Sequence, residues 1–391
     1  MLEYKDALQL IISSAKSVPV EKVELRNSLK RVLATDVIHD MDMPPFNKSA
    51  MDGYACRQSD LNNELELIET IFAGKLPEES IGENQCYKIM TGAVVPPEAD
   101  YVFKKEDAEI TENGKVICQQ PSSPNNICYR GEDIQKGQIV LDKSTLITSR
   151  HLPVLAGAGV SNPNVYSQPA ITVFATGTEL VEPARQPKSF QIRNSNSSQL
   201  LAQISELGIE ANYGGIIKDE ETVLTEKVSA ALNINDVVIL TGGVSVGEYD
   251  FMPEVLQNLG FEILVSSTAI KPGKPMVFAR KGEKYCFGLS GNPVSSFVQF
   301  ELYVKPFLYA MMGLNFEQKI LTFPLGKEYN RKKADRINFV PANVNEKMEV
   351  VPIEFHGSAH INALSGASYL LEVPKGVKTI NKGEKVNVRP I

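Results

Sequence analysis

The sequence predicts a multidomain α/β protein with a central doubly wound sheet, and three features carry that expectation. Residues 168–312 alternate short apolar runs with amphipathic stretches, glycine turns close several of the runs, and the flanking regions lose the alternation. Alternation at this spacing predicts a parallel sheet covered by helices on both faces. The chain has 391 residues, room for several domains at roughly 100–200 residues each.

Taken in order, residues 171–175 (ITVFA) form an apolar strand stopped by Thr176 and Gly177. Leu200, Leu201, Ile204 and Leu207 make a helical stripe, with capping residues at 194–197 and Gly208 as its stop. Residues 211–217 suit a strand, and Val223, Leu224, Val228, Ala231 and Leu232 mark another helix. Residues 237–240 are wholly apolar, followed by a helical stretch at 254–259, runs at 262–265 and 276–279, and a helix over 294–312. These segments define an α/β domain over 168–317. Upstream, runs at 65–72, 86–90, 101–104 and 115–118 mark a β-rich domain over 46–140. It interrupts a partly helical N-terminal domain made of 1–45 and 141–167. Runs at 337–344, 349–354, 369–373 and 385–388 predict a small all-β domain over 318–391.

Hydrophobic residues make up 43% and charged residues 22%, a globular balance. No apolar run approaches the ~20 residues of a membrane span, and the first 17 residues read as an amphipathic helix rather than a signal peptide. The five cysteines are scattered without a CxxC pair, which suits reduced thiols in the cytoplasm better than disulfides or zinc. His356 and His360 are four apart, but Gly357 and the β-rich surroundings argue against a helical metal pair. A net charge of −7 excludes general attraction to nucleic acid, so an anionic ligand needs a local basic pocket.

Three turns supply such chemistry. Thr241-Gly242-Gly243-Val244-Ser245-Val246-Gly247 follows a buried strand, where ligands of open α/β sheets bind. Adjacent glycines let backbone N–H groups converge on an anion, and Ser245 adds a hydroxyl. Gly291-Asn292-Pro293-Val294-Ser295 starts a helix, with Asn292 at the N-cap and Pro293 at the first turn. Lys271-Pro272-Gly273-Lys274-Pro275 places two lysines on a bent, preorganised backbone suited to an oxyanion. Each turn also has a plain reading, as an ordinary connection or a solvated loop; their combination favours anion binding. The acids Asp52, Asp133, Glu179, Asp219 and Asp250 sit beside glycines or at element ends. Each could be a cap; together they could hold Mg²⁺ near a pyrophosphate. The residues alone predict an α/β enzyme for a phosphorylated, nucleotide-like ligand.

Pro45-Phe46-Asn47-Lys48-Ser49-Ala50-Met51-Asp52-Gly53-Tyr54-Ala55 resembles the N-terminal signature of the MoeA family, the molybdopterin molybdenumtransferases that include the E domain of gephyrin. Met90-Thr91-Gly92-Ala93, Gly131-Glu132-Asp133, Thr176-Gly177-Thr178-Glu179-Leu180 and Arg193-Asn194-Ser195-Asn196 follow in the family's order, then the three turns above. The resemblance implies a four-domain, cytoplasmic homodimer whose cleft lies between the inserted domain of one subunit and the α/β and C-terminal domains of the other. Its substrates would be molybdopterin-AMP and molybdate with Mg²⁺, and its products molybdenum cofactor and AMP. A molybdopterin adenylyltransferase would donate the substrate, and molybdoenzymes or their chaperones would accept the product.

By motif match, the resemblance places Asp52, Thr91, Asp133, Glu179, Asp219 and Asp250 at the functional polar positions, with Glu179, Asp219 and Asp250 toward the metal. Gly242, Gly243, Ser245 and Gly247 would cradle the pterin phosphate. Lys271, Lys274, Pro275, Gly291, Asn292, Ser295 and Arg336 would line the remaining ligand and molybdate contacts. The chain departs from the family at Ser290, where proline is usual. In the C-terminal domain it has Asn362 and Ala363 in place of paired serines. That second departure predicts weaker molybdate contact. Competing readings are an adenylyltransferase, which shares the α/β domain but lacks the region around Asp52, and a non-catalytic scaffold of the same fold.

Overall fold

The computed structural model describes residues 1–243, 252–354 and 357–391. The chain packs as two compact units. One comprises Met1–Ala34, Ser144–Thr148 and Asn164–Ile391; the other comprises Thr35–Lys143 and Ser149–Pro163.

The larger unit holds a six-stranded sheet. Its strands in chain order are β1 (Ile171–Thr176), β2 (Ala211–Ile217), β3 (Val237–Thr241), β4 (Glu262–Ser267), β5 (Pro275–Lys281) and β6 (Lys284–Leu289). Across the sheet they run β2-β1-β3-β6-β5-β4. The first four are parallel, while β5 is antiparallel to both neighbours. The sheet is therefore mixed rather than wholly parallel, because Lys284–Leu289, a strand absent from the sequence expectation, forms a hairpin with β5. The signal was local: Lys281 pairs with Lys284 across Gly282-Glu283, and Gly282 (φ 58°) supplies the positive φ a two-residue hairpin needs.

Burial explains why β3 reads as a continuous apolar run. Val237 and Ile239 face a core shared with helices Tyr4–Ser13, α1 (Asn196–Glu206) and 293–311, whereas Val238 and Leu240 face one shared with α2 (Glu221–Ile234) and Met252–Asn258. A strand covered on both sides has no polar face to alternate.

A second sheet closes the C-terminal part of this unit. Leu321–Pro324, Ile337–Val344, Tyr369–Val373 and Lys385–Pro390 are joined at one edge by Ile270–Lys271. Ile270 pairs with Ile337 and Lys271 with Asn338, so the lysine loop leaves directly from this sheet's edge.

The smaller unit is β-rich. Its four-stranded sheet orders Glu66–Ile71, Gln85–Ile89, Gly53–Cys56 and Tyr101–Lys104. Gly53 is required there: a Cβ would lie 1.9 Å from the Phe103 carbonyl oxygen of the adjacent strand. Cys56, Cys86 and Cys118 are buried in one apolar cluster, and burial pushes the Cys86 thiol up to about 12. All five cysteines are unpaired. No helix among the described residues is long and apolar enough to cross a membrane.

Candidate active site

Strand order locates the first cleft. The chain goes from β1 outward to β2, then returns to the other side of β1 as β3, so the order reverses between β1 and β3. Open α/β sheets bind ligands outside the carboxyl ends of strands at such a switch point. A cleft of about 730 Å³ lies there, lined by Thr176 at the end of β1 and Gly177 after it, Asp219 after β2, Thr241 at the end of β3 with Gly242 and Gly243 after it, and 290–293 after β6. Gly242 (φ 100°) has no room for a side chain, since a Cβ would sit 2.4 Å from the Thr176 carbonyl oxygen.

Two carboxylates enter this cleft. Asp219 Oδ2 accepts from the Thr178 backbone N–H (3.0 Å) and hydroxyl (3.3 Å). Glu179 folds back over Gly177, where a Cβ would come within 2.7 Å of its carboxylate. Both acids retain oxygens with no partner among the described residues, a set that fits a hard cation completed by phosphate oxygens. No group of three His, Cys, Asp or Glu among the described residues could hold a metal alone.

A second pocket of 920 Å³ adjoins the first, and Pro275, Ser290 and Asn292 line both. Lys271, Lys274, Ser295 and Arg336 are brought together in its lining. Lys327, Arg331, Lys332 and Lys333 join them, against only Glu328 and Glu354 among the described residues. Arg336 is held by donation from Nη1 to the Ile270 carbonyl (3.0 Å), and Arg331 spends its guanidinium on the carbonyls of Val377, Arg336 and Pro374. Arg331 is thus scaffold. The sequence signal for the added cations was the run Arg331-Lys332-Lys333.

Asn292 occupies the N-cap position of α3 (Pro293–Gln299), but its side chain makes no capping bond and faces both pockets. The first helical N–H, that of Val294, donates instead to the Ser358 carbonyl (3.0 Å). Ser358 lines the basic pocket, whereas Asn362 and Ala363 line neither. They start a short helix, Asn362–Ser365, in which Ala363 is buried. The structure therefore brings these two positions, expected from the sequence to weaken molybdate contact, to the lining of neither pocket.

In the smaller unit, Asp52 and Thr91 come together. Thr91 donates its backbone N–H (2.9 Å) and hydroxyl (2.8 Å) to Asp52 Oδ1, holding that carboxyl below its ordinary range, with Lys105 3.8 Å away. Asp133 is exposed, with its N–H bonded to the Met43 carbonyl (3.1 Å). Ser245, Gly247, Asp250 and His356 lie outside the described residues.

From the sequence alone Asn196 is only one residue of the run Arg193-Asn194-Ser195-Asn196. The structure shows it as a clip: its amide donates to Thr241 Oγ1 (2.9 Å) and to the Gly291 carbonyl (2.8 Å), tying two glycine turns together.

Comparison with known proteins decides the family. Residues 2–159 match the MoeA N-terminal region (domains I and II), 172–310 a probable molybdopterin binding domain, and 326–391 the MoeA C-terminal region (domain IV). The chain is 34% identical to the molybdopterin molybdenumtransferase of Staphylococcus epidermidis (strain ATCC 35984) over 397 residues, covering 99% of this chain and 95% of the relative. The chain belongs to the MoeA family. It is also 33% identical over 395 residues to the molybdopterin molybdenumtransferase of Staphylococcus aureus (strain Mu50), covering 98% of this chain and 94% of that one. Among solved structures, the MoeA protein of Pyrococcus horikoshii OT3 superposes with a TM-score of 0.86 at 29% identity over the full length of both chains. In this MoeA chain, residues 172–310, the match to the probable molybdopterin binding domain, supply most of the switch-point cleft, and the C-terminal match contributes Ala359 and Ile361 to it and Arg336 to the basic pocket.

Proposed function

We propose that this chain is a molybdopterin molybdenumtransferase that inserts molybdate into molybdopterin-AMP, releases AMP and yields molybdenum cofactor. One observation carries the reading: a switch-point cleft holding two carboxylates and glycine turns shares a wall with a strongly basic pocket. The first suits a pterin-linked pyrophosphate, with the Gly243 backbone N–H toward phosphate oxygens, that of Gly242 being donated to the Leu289 carbonyl (3.0 Å). The second suits a small dianion, held by Lys271 and Lys274 as point charges. Glu179 and Asp219 would hold Mg²⁺, which when bound neutralises phosphate charge. Asp52, Thr91 and Asp133 complete the polar set, and the protein works in the cytoplasm as a homodimer.

The chain's residues concentrate two mutually repelling anions and fix their separation. The dithiolene sulfurs, not protein side chains, become the metal's ligands as the phosphoanhydride bond breaks and AMP leaves. Purified protein supplied with molybdopterin-AMP, molybdate and Mg²⁺ should release AMP and produce a cofactor that activates an apo-molybdoenzyme. No AMP release above a protein-free control would overturn the reading. Turnover of ATP with molybdopterin would show an adenylyltransferase instead.

A further inference from the structure

Gln299 closes α3 and is fully buried. Its Nε2 donates to the carbonyls of Gly273 (2.9 Å) and Pro275 (2.7 Å), and its Oε1 accepts from the Ser290 N–H (2.8 Å). Those carbonyls flank Lys274. Thr268, also buried, adds a bond from its N–H to the Lys274 carbonyl (2.9 Å) and one from its hydroxyl to Gly273 (3.3 Å). Gly273 (φ 100°) lies tight on the amide, for a Cβ there would stand 2.9 Å from Gln299 Cγ. The Lys274 backbone is therefore pinned from both sides, while its exposed side chain lines the basic pocket. Directly after Gln299 the helix widens into a π segment, Phe300–Val304, of the kind frequent at functional sites.

We infer that Gln299 is a positioning residue for the oxyanion: it clips the lysine loop to the Ser290 turn and so fixes where Lys274 presents its charge. The inference rests on the basic pocket being the molybdate site. A flexible lysine concentrates charge at one point only if its backbone is held, and one amide joins the loop, at the Gly273 and Pro275 carbonyls, to the Ser290 N–H of the shared wall.

The test is equilibrium dialysis of the full-length protein against molybdate alone, giving both Kd and stoichiometry, for wild type, Lys274→Ala, Gln299→Met and Gln299→Glu. Gln299→Glu keeps the length and the acceptor for Ser290 but sets a carboxylate against two carbonyls, and it decides the question if Gln299→Met does not fold. Both Gln299 variants should weaken molybdate binding about tenfold, near the loss of one charge-assisted hydrogen bond, with stoichiometry unchanged. A merely structural role would lower the stoichiometry and leave the Kd of the folded fraction at the wild-type value. That result, or a wild-type Kd at full stoichiometry while Lys274→Ala binds weakly, overturns the inference. An unchanged Kd in Lys274→Ala overturns the molybdate reading beneath it.

Discussion

Gly242 and Gly291 face each other across the wall of the first cleft, yet substitution by alanine should affect them very differently. A Cβ on Gly242 would lie 2.4 Å from the Thr176 carbonyl oxygen and 2.8 Å from Thr176 Oγ1, at a φ of 100° that side chains rarely adopt. The conformational cost is about 1–3 kcal/mol. The overlap with backbone adds about 1–3 kcal/mol, since the sheet would have to shift. Gly242→Ala should thus destabilise the protein by roughly 2–6 kcal/mol. At Gly291 the nearest atom to a new Cβ is Gly242 Cα at 3.5 Å, ordinary contact, and φ is not in the left-handed range. Gly291→Ala should leave stability within about 1 kcal/mol of wild type. The chain has no tryptophan, so urea unfolding is best followed by far-UV circular dichroism. With m of at least ~1–3 kcal/mol/M, the Gly242→Ala midpoint should fall by on the order of 1 M. Equal midpoints for the two variants would refute the steric argument.

Asp52→Asn should abolish most AMP release while leaving the protein folded; full turnover would remove Asp52 from the mechanism. Thr91→Val removes the hydroxyl bond to Asp52 and should raise that carboxyl toward its ordinary value, as read by carboxyl-carbon NMR. The sign follows from linkage: a depressed folded pKa stabilises at neutral pH, and that share is lost as pH falls through the folded value. The variant should therefore show a smaller drop in stability between neutral and acid pH. Lys271→Ala and Lys274→Ala should each raise the molybdate concentration for half-maximal AMP release more than that of molybdopterin-AMP; unchanged molybdate dependence in both would make the loop a solvated surface feature. Asn362→Ser with Ala363→Ser should leave molybdate dependence within twofold of wild type, because neither position lines the basic pocket; a lower requirement would restore them as contacts.

Much of this was legible in the sequence where one residue answers to one local rule. Residues 237–240 had to be a doubly buried strand because every position is apolar, and Gly242 had to follow because no side chain fits under Thr176. The lysine loop announced itself by charge on a bent backbone. What stayed hidden depended on contacts distant in sequence. Nothing near Gln299 says that its amide meets residues 24 and 26 positions earlier. Nor does the N-cap rule foresee that Asn292 leaves its helix uncapped, with the Val294 N–H taken by Ser358 from another segment. Asn362 and Ala363 show the same limit: the residue type at a position does not say whether it lines a pocket, and neither of these does.

On the proposed reading, the two adjoining sites would let an acidic protein bring anions together. At an effective dielectric of about 20, two unit charges roughly 6 Å apart repel by about 3 kcal/mol, and a dianion beside a phosphate repels by about twice that. On the proposed reading, neither backbone N–H groups nor one lysine offsets this alone. The structure divides the work between compartments. The carboxylates Glu179 and Asp219 are on the phosphate side, where Mg²⁺ would convert them from a repulsive to an attractive element. The lysines and Arg336 are on the oxyanion side, where the excess of cations needs no ion to act. Pro275, Ser290 and Asn292 form the wall common to both, and it carries no charge of its own. Rigidity in that wall matters more than its chemistry, since a drift of either ligand would exchange attraction for repulsion. Clips by Asn196 and Gln299, each buried and each bridging separate loops, are the devices that rigidity requires.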